Sequence, residues 1–192
     1  MKLTTQKLID RLDTPSDRKA ETVIGELIAR GRRVVPALLE AAQDPSRPRV
    51  RKWSLQALGE LGDRRAIPLL IQALKNERMT VRLHALRGLA RLKAKGAAKP
   101  VAKLLQDESG GVRVNALQTL QAFGDTKVGP AVQKSLADEQ WYVRQRAAEI
   151  CGEWQIARAR ATLEKLARAD ERKAVREAAR RALARYVSRA TK

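Results

Sequence analysis

Residues 112–123 read Val112-Arg113-Val114-Asn115-Ala116-Leu117-Gln118-Thr119-Leu120-Gln121-Ala122-Phe123, and the opening Val-Arg step returns at Val50-Arg51, Val81-Arg82, Val143-Arg144 and Val175-Arg176. The spacings are 31, 31, 31 and 32 residues. A period of that size marks stacked repeats. Four residues after each valine stands a small side chain: Ser54, Ala85, Ala116, Ala147 or Ala179. Eight residues after it stand Leu58, Leu89, Leu120, Cys151 and Leu183, and eleven after it Leu61, Leu92, Phe123, Trp154 and Tyr186. Offsets of 0, 4, 8 and 11 trace a single stripe down a helix.

Ahead of the Val-Arg helices lie Leu-rich segments opened by Pro36, Pro68, Pro100 and Pro130. Proline suits a first helical turn, where its missing amide would have had no intrahelical partner. These segments end near Asp44, Asn76, Asp107, Asp138 and Asp170, whose side chains can cap the helix that follows. The unit is therefore an antiparallel helix pair, and because no pair can bury its own stripe, the pairs must stack. The expected fold is all-α, a right-handed α-α superhelix of about six two-helix repeats forming a single domain over 1–192. Capping helices are expected over 1–33 (near Leu3 to Leu12 and Asp17 to Arg30), regular repeats over 34–171 and a solvated capping helix over 172–192.

The pattern Asp-(x)4-Val-Arg-(x)2-Ala-Leu-(x)2-Leu, followed by Gly-Asp-(x)2-Ala and a Leu-rich helix as in Val50 to Leu74, resembles the HEAT repeats. Within them it is similar to the short type first described in phycobilisome lyases. The resemblance covers about Pro36 to Val187 and implies an inter-repeat polar ladder joining Asp107, Asp138 and Asp170 to Arg82, Arg113, Arg144 and Arg176. Asn76 replaces one aspartate and Asp44 stands one residue early, so the pattern departs from the family's in the first rungs. The resemblance also implies that the Val-Arg helices line a concave face. The rows three and six after valine then supply Trp53, His84, Asn115 and Arg146, and Gln56, Arg87, Gln118 and Glu149, to a protein partner. Trp53, expected to be exposed, is the first hot-spot candidate of that face, with packing against the adjacent repeat as the alternative.

Reaction chemistry is scarce. A single histidine, His84, is expected on the solvent side of its helix, and a single cysteine, Cys151, falls in a leucine column and is expected in the core. With one of each there is no disulfide and no Cys/His zinc set, and no metal or cofactor is expected. The His-Glu dipeptides of the deoxyhypusine hydroxylases do not occur, and Gly110-Gly111 lacks the pattern of a phosphate loop. No apolar run reaches membrane-spanning length and the opening residues do not build a signal-peptide core, so a cytoplasmic protein is expected; the scarcity of reaction chemistry implies a noncatalytic one, with a monomer favoured and the oligomeric state left open.

Charge is the other prominent feature, with 40 Lys+Arg against 21 Asp+Glu and a net +19. It is unevenly spread, since residues 112–142 are neutral overall. That gap disfavours a polyanion filling the whole groove. The turns leaving successive helices hold Arg32, Arg33, Arg64, Arg65, Lys93, Lys95, Lys127, Arg158 and Arg160, and a regular stack would gather them into a basic rim opposite an acidic one. Three functions follow: a scaffold or adaptor binding a protein partner, a nucleic-acid-binding protein contacting phosphates through the rim, and, on resemblance alone, a lyase-related subunit.

Overall fold

The computed structural model describes residues 3–187, so residues 188–192 of the expected C-terminal cap lie outside the described residues. Among these there are twelve α-helices and no strand. They run α1 (Thr5–Asp10), α2 (Asp17–Ile28), α3 (Val35–Ala41), α4 (Pro48–Leu61), α5 (Ile67–Ala73), α6 (Met79–Arg91), α7 (Ala98–Lys103), α8 (Gly110–Phe123), α9 (Gly129–Lys134), α10 (Trp141–Trp154), α11 (Arg160–Ala169) and α12 (Lys173–Val187). They fall into six pairs and two compact units, Met1–Ala94 holding α1–α6 and Lys95–Lys192 holding α7–α12. No helix among the described residues is long and apolar enough to cross a membrane.

The same local chemistry starts each Val-Arg helix and stops the first four. In the linker before it, Asp44, Asn76, Asp107, Asp138 or Asp170 accepts through Oδ1 from the amide two residues on, at 2.9–3.0 Å. That side-chain turn aims the chain into the next helix. Twelve residues after the valine the backbone enters the left-handed region, at Gly62 (φ 68°), Lys93 (46°), Gly124 (64°) and Gln155 (50°). Glycine takes this conformation without steric cost, whereas Lys93 and Gln155 take it against their Cβ. Asp63 and Asp125 then cap a turn of 3-10 helix, and Pro36, Pro68 and Pro130 open the helices beyond, as the sequence predicts.

The apolar columns form the core. All five valines are buried, as are the small residues four later and Leu58, Leu89, Leu120 and Cys151. The column at offset eleven is mixed: Leu92 and Phe123 are buried, whereas Leu61, Trp154 and Tyr186 are half-buried at the edge of the stripe. Helices within each unit approach through small residues. A Cβ on Gly59 of α4 would sit 2.8 Å from the Gly88 Cα of α6, and one on Gly152 of α10 would sit 2.5 Å from the Ala182 Cα of α12.

Along one edge the second unit is clasped by charge. Arg113 donates from Nε (2.7 Å) and Nη2 (2.8 Å) to the carboxylate of Asp138, one repeat on, and from Nη1 to the Asp107 and Glu108 carbonyls in its own linker. Arg144 repeats this with Asp170 and the Asp138 and Glu139 carbonyls. Burial alone would raise the Asp170 carboxyl, but hydrogen bonds from Arg144 and the Arg172 amide, with the charges of Arg144 and Arg176, outweigh it and hold its pKa below the ordinary value. The side chains of Arg113 and Asp138 are each only 8% exposed. Removing Asp138 takes the buried carboxylate from Arg113 and leaves it the exposed Glu139 at 3.0 Å, so Asp138→Ala is expected to cost about 3 kcal/mol in chemical denaturation.

One core position is mismatched. The Ser54 hydroxyl is buried without a hydrogen-bond partner, where the four sister repeats carry alanine. Ser54→Ala is expected to stabilise the protein by about 1–2 kcal/mol, read as a raised urea midpoint with an unchanged slope.

Candidate functional site

The outward rows of the Val-Arg helices are partly occupied by their own side chains. Gln56 donates to Glu60 (3.0 Å) and Gln145 to Glu149 (3.1 Å), Arg146 pairs with Glu149 (2.9 Å), and Asn115 donates to the Gly111 carbonyl (2.8 Å). Arg87 and Gln118 stand exposed. In the first unit a cleft of about 200 Å³ opens beside the Gly59–Gly88 contact, walled by Glu60, His84, Arg87 and Arg91. In the second a cleft of about 260 Å³ is lined by Gln121, Glu149, Glu153 and Arg181.

The expectation of an exposed Trp53 is corrected. Its side chain is buried, 4% exposed, with the Lys52 ammonium 3.6 Å above the ring and His84 edge-on at 5.6 Å. An indole is wide enough that a position at the margin of the stripe still buries it against the neighbouring helix. His84 is likewise half-buried between α4 and α6 instead of standing free on the surface. The exposed aromatic is Trp141, 38% exposed and edge-on to Tyr142, whose hydroxyl packs on Gly110 at the start of α8.

The basic turns are exposed throughout. Some of them are tied to their neighbours: Arg64 donates to the Leu92 carbonyl (3.1 Å) in the first unit, and Gln133 of α9 donates to the Arg158 carbonyl (2.9 Å) in the second. Two of the expected rim cations are already paired. Arg65 forks onto Asp63 (3.0 and 2.9 Å) and Arg160 meets Glu164 at 3.3 Å. No described carboxylate lies within ion-pair distance of Arg32, Arg33, Arg64, Lys93, Lys95, Lys127 or Arg158.

The family model for HEAT repeats matches residues 5–80, 67–141 and 130–191. The chain belongs to the HEAT-repeat family. Among solved structures, this HEAT-repeat chain is similar to YibA of E. coli at 21% identity and a TM-score of 0.74, over 97% of this chain and 74% of that one. It is also similar to the CpcE–CpcF complex of phycocyanin lyase from Nostoc sp. PCC7120, at 26% identity and 0.64, over 93% and 75%. A designed armadillo repeat protein in complex with the peptide (KR)4 aligns at 18% and 0.62, over 96% and 100%. No curated protein matches the chain.

The groups most often used in catalysis are muted. Burial pushes the Cys151 thiol up to about 12. Burial, with the charges of Lys52 and Arg87 outweighing that of Asp17, brings His84 down to about 4, and among the described residues no cluster could hold a metal ion.

The His84 shift makes a stability prediction. The unfolded imidazole takes up a proton near pH 6.5 and the folded one near 4. Stability is therefore full above about 6.5 and is lost as pH falls toward 4, by about 2 kcal/mol after allowance for partial exposure. His84→Gln is expected to remove that part of the pH slope, measured as urea midpoints between pH 7 and 4.5.

Proposed function

We propose that this HEAT-repeat chain is a noncatalytic binding module that receives an acidic protein partner on its basic turns and the adjoining Val-Arg helix faces. The observation that carries this is the set of exposed cations without carboxylate partners, Arg32, Arg33 and Arg64 in the first unit and Lys95, Lys127 and Arg158 in the second. These six cations carry charge that no described carboxylate within ion-pair distance neutralises, and such charge is what an oppositely charged surface can use. The similar armadillo design was solved with a basic peptide. By the same logic of complementarity, turns rich in arginine and lysine suit an acidic one. Lys93 adds to the case, because it holds a left-handed turn position that glycine takes in two sister repeats.

The net charge of +19 favours nucleic acid as the second reading. The phycocyanin-lyase likeness supports a lyase-related role less well, because the lone cysteine is buried and the lone histidine stays neutral.

Fluorescence anisotropy with a glutamate-rich peptide and with DNA and RNA oligonucleotides, across salt, separates these. The expected result is peptide binding weakened at least tenfold by the triple change Arg32→Glu, Arg33→Glu, Arg64→Glu, with thermal stability retained. Nucleic-acid binding at near-physiological salt, with a log-log slope near −0.9 per phosphate contacted, would transfer the site to the second reading. No binding by any of the three probes at low salt would sink both.

A further inference from the structure

The arginine clasp recurs with one exception. Arg82, Arg113, Arg144 and Arg176 each donate from Nη1 to two carbonyls of their own linker, six and five residues earlier. Arg51 occupies the same step of α4 and makes neither bond. The cause lies in the linker: Asp44 stands four residues before the start of α4, whereas Asn76, Asp107, Asp138 and Asp170 stand three before theirs. One extra residue carries the carbonyls out of the arginine's reach.

Arg51 also lacks the other half of the clasp. Arg113 and Arg144 receive a carboxylate from the next repeat, but the position facing Arg51 is Asn76, an uncharged amide whose Oδ1 accepts from the Arg78 amide at 3.0 Å and makes no bond to Arg51. The neighbouring Glu77 forms no ion pair with Arg51, although Glu139 reaches Arg113 at 3.0 Å. Arg51 Nε is buried with no hydrogen-bond partner, as Arg82 Nε also is, but Arg82 keeps its two linker carbonyls and Arg51 has neither.

Arg51 lines a cleft of about 350 Å³ together with Lys75, Asn76, Glu77 and Arg78 and the apolar Pro45, Pro48 and Val81. The equivalent cleft at Arg113, about 290 Å³, contains the carboxylate of Asp138. The second unit thus displays the ligand that the first unit's cleft lacks. Arg51, Lys75 and Arg78 face a single acid, Glu77, so the cleft carries excess positive charge. A forked guanidinium matches two carboxylate oxygens, and the prolines and Val81 suit the methylenes that carry such a group.

We propose that the cleft at Arg51 is a carboxylate-binding site, in which an external carboxylate takes the place that Asp138 and Asp170 occupy on Arg113 and Arg144. The group comes either from a small free acid or from an aspartate or glutamate side chain of a protein. The assignment stands independently of the basic turns, since those residues are not part of the cleft.

The test follows the arginine Nε–Hε signals of the full chain by NMR, with the Arg51 signal identified by its loss in Arg51→Lys. Propionate is titrated against chloride at constant ionic strength. The Arg51 signal is expected to move saturably while those of Arg113 and Arg144 stay fixed. In Asn76→Asp, which supplies the carboxylate from within, the Arg51 signal is expected to start near its bound position and to stop responding, with a raised melting temperature.

A parallel titration with short acetylated peptides carrying one Glu or one Gln separates the sources. A Glu peptide binding at least tenfold tighter than propionate supports a protein side chain, and the reverse order supports a free acid. An Arg51 signal that moves no further with propionate than with chloride overturns the proposal. So does a folded Asn76→Asp protein whose Arg51 signal still titrates, and the wild-type titration decides the matter should that variant fail to fold.

Discussion

A guanidinium taken out of water must find hydrogen bonds for its donors, and this requirement sets the geometry of the regular repeats. Arg113 meets it with two carboxylates from the following linker, Asp138 and Glu139, and two carbonyls from its own. The carbonyls lie in range only if the linker has one fixed length, and the carboxylates only if the next pair sits at one fixed offset. Each arginine therefore measures both its own turn and the distance to its neighbour. A hydrophobic stripe alone could not do so, because apolar contact is non-directional.

Packing supplies what the polar edge does not. The pairs Gly59–Gly88 and Gly152–Ala182 let backbones come close enough that a Cβ on Gly59 or on Gly152 would collide with the facing helix. The valine, small-residue and leucine columns then fill the interior from one side, and linkers and left-handed turns repeat in step with them. Local and long-range preferences thus agree at most positions of each repeat. Departures stand out for that reason: Ser54 in an alanine column, Lys93 and Gln155 in glycine's conformation, and Asn76 in place of an aspartate.

Much of this was legible in the sequence, and the exceptions have physical causes. Helix pairing, core columns, proline starts and the burial of Cys151 follow from periodicity and composition, which report where a Cβ points. Trp53 and His84 were misplaced because direction does not say how far a neighbouring helix reaches over a large ring. The pairing of Arg65 with Asp63 was hidden in a turn that looks solvated by composition. Arg51 is different again. Its anomaly was visible as a shifted Asp44 and a missing aspartate at 76, but the resulting buried, unbonded nitrogen requires coordinates.

The extra residue before α4 has a mechanical consequence. Repeat arrays hold together through the sum of their nearest-neighbour interfaces, so a weaker joint is felt locally. Between α4 and α6 the glycine contact remains, yet the electrostatic rivet at the other end of α4, about 12 Å away along the helix, is undone. Thermal agitation or tension would open this seam like a book, with Gly59 and Gly88 as the spine and Arg51 on the page edge.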